Sequence, residues 1–189
     1  MPPTNGRVPS ARSYEDRVRA ALDALGIGLE IIRARSLPVC VEARGLVVAE
    51  VDARGREQRL VPAAADAWKA MKSAAARTGV GLHLVSSFRS FDRQCEIVRE
   101  KLAAGQSLEE ILSVSAPPGY SEHHTGRAVD IGASPDDPLE EAFERSDAYA
   151  WLAGNASRFG YLLSYPRGNR YGYRYEPWHW MHRAPEPHE

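Results

Sequence analysis

Apolar residues recur along this chain at two spacings, near 3.6 and near 2, which predicts a mixture of helices and strands. Val18, Ala21, Leu22 and Leu25 share a helical period behind Ser13, a candidate N-cap with Asp16 at the reciprocal position, and Gly26 can close that helix. Val39 to Val51 reads as a pair of strands around Gly45, with a further turn at Gly55. Pro62 suits the first position of a helix reaching about Arg77. Its Ala63, Ala64, Trp68, Met71 and Ala75 form one apolar stripe, and Gly79 follows its end. Gly81 to Ser86 alternates as a strand does, and a helix from about Ser90 to Ala104 comes next. Ser107 and Glu110 form a capping box for a short helix, and Ala116-Pro117-Pro118-Gly119-Tyr120 must be a loop. Ala128 to Ile131 reads as a buried strand, Asp147 to Phe159 as a helix closed by Gly160. Tyr161–Ser164, Tyr171–Tyr175 and Trp178–Met181 supply the last strands. No strict β-α-β alternation runs through this order, so the expected class is α+β with a central, largely antiparallel sheet and flanking helices.

With 189 residues, 43% of them hydrophobic, the chain suits one domain with a sizeable core. Lys and Arg total 24 against 25 Asp and Glu, and the arginines are scattered, so electrostatics argues against a nucleic-acid partner. Cys40 and Cys95, the two cysteines, read as buried free thiols rather than a disulfide framework. No stretch approaches the roughly 20 apolar residues that span a bilayer. The first nineteen residues contain no apolar h-region. The expectation is therefore a cytoplasmic protein, with the periplasm or cell wall as the alternative if the start is atypical.

The chemistry concentrates in two clusters, Tyr120 to Asp130 and Tyr175 to Trp180. Imidazole nitrogens and a carboxylate oxygen suit Zn²⁺, and three protein ligands with an open fourth position make a catalytic site. His123 and Asp130 can converge if the chain reverses at Gly126, and His179 can join them from a neighbouring strand. Glu176, three residues before His179 and stiffened by Pro177, is a candidate general base that lies beside the metal without ligating it. His124 reads as the spectator of the histidine pair. Taken singly, each residue has an ordinary structural role open to it; their joint occurrence favours hydrolysis.

The pattern Ser121-x-His123-x-x-Gly126-x-Ala128-x-Asp130 with Glu176-x-Trp178-His179 resembles the signature of the D-alanyl-D-alanine metallopeptidases. That family includes the carboxypeptidases and dipeptidases of vancomycin resistance and the bacterial LD-carboxypeptidases. Ser86-Ser87-Phe88-Arg89-Ser90, followed by Gln94, resembles a third block of the same family, and the blocks span Ser86 to His179 in the family's order. The resemblance implies one Zn²⁺ held by His123, Asp130 and His179, with Glu176 as catalytic base. It further implies that Arg89 contacts substrate and stabilises the oxyanion, a role suited to a guanidinium fork. Ser121 and Gln94 match positions that contact substrate or brace the loop. Ser87 and Phe88 depart from the family's usual Gly and Tyr.

The implied organisation is an arm at 1–12, a zinc peptidase domain at 13–184 and a frayed end at 185–189. Within the domain, a helix and hairpin at 13–60 precede a catalytic core at 61–184. The implied function is a monomeric carboxypeptidase that cleaves before a C-terminal D-alanine in peptidoglycan stem peptides or other D-Ala-D-Ala peptides. LD-carboxypeptidase or endopeptidase action would use the same ligands. A non-haem Fe(II) oxygenase also uses two His and a carboxylate, but typically with a His–Asp gap of two, against seven here. A non-catalytic, zinc-stabilised module binding wall peptides is the rival from another class, and Glu176 argues against it.

Overall fold

A computed structural model describes residues 13–52 and 54–183, so the expected arm at 1–12 and the end at 185–189 lie outside the described residues. The chain begins with α1 (Tyr14–Ala24), whose first turn is held by the Ser13 side chain accepting from the Asp16 N–H at 3.1 Å. A second, short helix, α2 (Leu29–Ala34), was not anticipated. Its six residues bury only Ile32, too little for an apolar period to register in sequence.

The expected strand pair around Gly45 is not formed. Instead β1 (Val47–Val51) and β2 (Glu57–Leu60) make an antiparallel hairpin whose turn contains Gly55. Residues before Gly45 instead run along the loop at 119–124: the Cys40 N–H donates to Gly119 O and the Ala43 N–H to His124 O. Val39 and Val41 point to solvent there, so their β-like alternation reflected no sheet partner.

After β2 comes α3 (Pro62–Ala76), which buries Ala64, Ala65, Trp68, Met71 and Ala75; Ala63 is exposed, one position off the expected stripe. Next are β3 (His83–Ser86), α4 (Phe91–Ala103) and α5 (Leu108–Val114), the last two capped by Ser90 and by the Ser107/Glu110 box. β4 (Ala128–Gly132), α6 (Asp147–Asn155), β5 (Tyr161–Leu163) and β6 (His179–His182) complete the chain. The helix expected to reach Phe159 tightens into a 3-10 turn at Ala156–Phe159 before Gly160.

Strands β3-β4-β6-β5 form one four-stranded, wholly antiparallel sheet. Tyr171–Tyr175, expected as a further strand, pairs with none. The amides of Tyr171 and Tyr173 face the Asn169 side-chain oxygen, and the Arg174 N–H donates to Ser113 O. The three tyrosines alternate because they pack inward from a loop whose backbone is satisfied without a ladder.

Strand alternation divides the sheet's two faces. Val129, Ile131 and Trp180 enter a core with α3 and α6, while Asp130 and His179 project from the other face. A second core joins α1, α2, α4, α5 and Tyr165, Tyr171 and Tyr173. Cys40 and Cys95 are buried free thiols. Among the described residues, no helix is long and apolar enough to cross a membrane.

The turn into β4 depends on Gly126, which adopts φ +63°. A Cβ added there would lie 2.7 Å from Leu46 Cδ2 and 3.3 Å from the Val61 amide nitrogen, itself bonded to Gly126 O. Gly126→Ala is expected to cost about 2 kcal/mol or more, combining left-handed strain with the clash. Urea denaturation of the two proteins measures it.

Candidate active site

Asp130 and His179 are directly opposed across β4 and β6, so the sheet's register alone makes them neighbours. His123 arrives from a 3-10 turn at Glu122–Thr125 that ends at Gly126, one residue short of the run into β4. One ligand atom from each of the three lies within 4.8 Å of the others, and all three residues are buried. His123 Nε2 is 3.2 Å from one Asp130 oxygen, and His179 Nδ1 is 2.9 Å from the other.

The remaining ring nitrogens are already engaged. His123 Nδ1 donates to Ser87 O at 2.6 Å, and His179 Nε2 donates to the Glu122 carboxylate at 3.0 Å. In the neutral form that metal ligation requires, each ring's lone pair faces Asp130 and the space beside it. Two imidazoles fixed in this way with one carboxylate make a suitable donor set for a tetrahedral Zn²⁺ with an open position. Burial alone would lower the His179 pKa, but the hydrogen bonds and charges of Asp130 and Glu122 outweigh it and raise it to about 10. Burial likewise opposes ionisation of Asp130, and His123 and His179 overcome it, holding that carboxyl below its usual range. The site is thus built around negative charge that draws in a cation.

Glu176 reaches the same space by a tight turn, in which the His179 N–H donates to Glu176 O. Its carboxylate is 4.0 Å from His179 Nδ1. Burial raises its pKa to about 7, against the opposing charges of His179 and Arg89. A dication bound nearby would lower that value.

Arg89 lies at the edge of the cluster, 4.0 Å from Asp130. It donates to Gln94 Oε1 at 3.1 Å and Ser86 Oγ at 3.3 Å. Gln94 is fully buried behind it, its amide nitrogen donating to Ala116 O, which is the bracing position rather than the cavity wall. Ser121 does line the cavity. His124 is not among the converging groups: it donates to Arg89 O and accepts from the Gly119 N–H, tying two loops together. Ser87, a departure from the family pattern, uses its hydroxyl to donate to Gln58 Oε1 and to accept from the Arg59 N–H.

These groups open on a cavity of about 370 Å³, whose walls include Arg89, Ser121, Glu176, Tyr165, Tyr173 and Trp178. The sequence model of the VanY D-alanyl-D-alanine carboxypeptidase family matches residues 57–185. The chain belongs to that family. It is 34% identical to the Bacillus subtilis (strain 168) protein YodJ over 76% of this chain and 55% of YodJ. It spans about half the length, or less, of three of the curated relatives it matches. The solved LdcB LD-carboxypeptidase is 34% identical, with a TM-score of 0.66 over 77% of this chain and 71% of that one. A variant of the D,D-pentapeptidase VanY solved with Zn(II) is 28% identical, with a TM-score of 0.56 over 76% of this chain and 86% of that one. All the residues singled out in the sequence, from Arg89 to His179, fall inside the matched segment.

Sequence reasoning passed over Glu122. Its only signal was adjacency to His123, and nothing in a linear pattern shows that the carboxylate turns toward His179, 57 residues away. Burial opposes its ionisation, but the hydrogen bond and charge of His179 outweigh that and hold the carboxyl below its usual range, with Arg183 adding at 3.8 Å from the second oxygen. Glu122→Gln is expected to weaken zinc binding by about 10- to 100-fold. Competition with a chromophoric chelator measures the change.

Proposed function

We propose that this chain is a zinc-dependent carboxypeptidase that hydrolyses the bond before a C-terminal D-alanine in peptidoglycan stem peptides. The observation that carries the reading is the convergence of His123 Nε2, Asp130 and His179 Nδ1 on one point, with the Glu176 carboxylate beside them on an open cavity. The family match supports the bond type, and the VanY structure with Zn(II) supports the metal.

In this reading His123, Asp130 and His179 hold one Zn²⁺. When bound, zinc polarises a carbonyl and makes a neighbouring water acidic. Glu176 takes a proton from the attacking water and delivers it to the departing amine. Burial raises its pKa, which makes it a stronger base than an exposed glutamate. Arg89, with Gln94 and Ser86 fixing its guanidinium, presents N–H groups to the negative oxygen that develops as the carbonyl is attacked. Ser121, which lines the same cavity, binds the peptide backbone.

The likeness to LdcB favours LD-carboxypeptidase action as the second reading, in which the bond cut joins an L-centre to a terminal D-alanine. A zinc-stabilised module that binds wall peptides without cutting them would retain the metal and lack turnover. Zinc-loaded protein is expected to release D-alanine from peptides ending in D-Ala-D-Ala, measured by mass spectrometry. Glu176→Gln is expected to lower kcat by about 10²- to 10⁴-fold while its zinc content by atomic absorption stays at one per chain. Faster release from tetrapeptides ending in a single D-alanine would select the LD reading. No release from either, with zinc bound, would leave an endopeptidase or the binding module. Chelation is expected to abolish release, and added Zn²⁺ to restore it.

A further inference from the structure

The carboxypeptidase reading leaves one charged group of the cavity without a task. Lys101, in the last turn of α4, lines the cavity one helical turn beyond Ile97, on the wall it shares with Arg89. Its ammonium donates to Ser115 Oγ at 2.7 Å. Among the described residues, no carboxylate comes within 4.0 Å of it, whereas Lys72 at the protein surface pairs with Glu50 at 2.8 Å. Ser115 also lines the cavity and accepts from Lys101, so its own O–H is free to donate.

The half-buried ammonium sits close enough to Arg89 for that charge to disfavour its protonated form, adding to the effect of burial, while Glu176 opposes both. An unpaired cation in such a place is relieved by an anion arriving with the ligand. The neighbouring wall is Ile97, Val114 and Ala116, apolar and suited to a small side chain. A short side chain, a carboxylate and a scissile carbonyl directed at Glu176 together describe the last residue of a peptide.

We infer that Lys101 and Ser115 receive the free α-carboxylate of the departing C-terminal residue, which makes Lys101 a specificity-determining residue for exopeptidase action. A chain continuing past the scissile bond would place a neutral amide opposite the ammonium and leave the cation unpaired. The Lys101 charge therefore selects peptide termini over internal bonds.

The test compares a peptide ending in D-Ala-D-Ala with the same peptide as its C-terminal amide, in zinc-loaded protein carrying Glu176→Gln so that neither is consumed. Calorimetry is expected to show the acid binding about 10- to 100-fold more tightly than the amide. Adding Lys101→Met is expected to remove most of that gap by weakening the acid alone, and Lys101→Arg to restore part of it. A gap unchanged by Lys101→Met, or an equal loss for acid and amide, would overturn the inference. A peptide whose only carboxylate is on a side chain is expected to bind no better than the amide; equal binding to the acid would show that any carboxylate serves and overturn the assignment to the terminus. Turnover of the acid by the parent protein tests the carboxypeptidase reading separately, since these binding ratios do not depend on it.

Discussion

Asp130 is an ionised side chain on the most enclosed strand of the sheet, and the rest of the site follows from that placement. All five residues of β4 are buried, with Asp130 only 4% exposed. A charge withdrawn from water to that degree costs several kcal/mol unless it meets a partner of opposite charge or a metal. Register supplies His179 on β6 directly opposite, and the turn at Gly126 supplies His123. Each imidazole is in turn held from behind, by a carbonyl at Ser87 and by the Glu122 carboxylate. The result is a rigid arrangement that a dication completes.

Rigidity on the loop side comes from a zip of main-chain and side-chain bonds. The Arg89 N–H donates to His123 O, while His123 and His124 donate back to Ser87 O and Arg89 O. One segment thus carries Arg89 and the other carries a metal-type ligand, and neither can shift without the other. In the proposed reaction such coupling favours catalysis, because the Arg89 guanidinium is set before substrate arrives. The buried Gln94 extends the same network to Ala116, which lines the cavity.

The two hydrophobic cores divide the labour. One underlies the sheet and fixes strand register; the other gathers α1, α2, α4, α5 and the tyrosines beneath the cavity's opposite wall. The cavity draws its charged floor from the sheet and its aromatic and cationic walls from Tyr165, Tyr173, Arg89 and Lys101. In the proposed function the metal is held at the floor and much of the binding surface lies on the walls, so variation in the walls can alter specificity while leaving the metal-binding geometry in place.

Much of this was legible in the chain itself. Long periodic helices such as Pro62–Ala76 and the capped Phe91–Ala103 and Leu108–Val114 announced themselves, because period, cap and breaker act locally. The grouping of His123, Asp130, Glu176 and His179 was visible because zinc hydrolysis demands specific residue types at constrained spacing. The strand pair around Gly45 and the strand at Tyr171–Tyr175 misled for one reason. A strand exists only through its partner, and alternating side chains look the same whether the backbone joins a ladder or is satisfied by Asn169 and Ser113. Glu122 and Lys101 stayed hidden on similar grounds. Their significance lies in which way a carboxylate turns and which cation lacks a partner, and those are properties of packed space. Local order and residue chemistry were written in the sequence; only tertiary structure, which decides what each charge meets once water is gone, assigned these two residues their places.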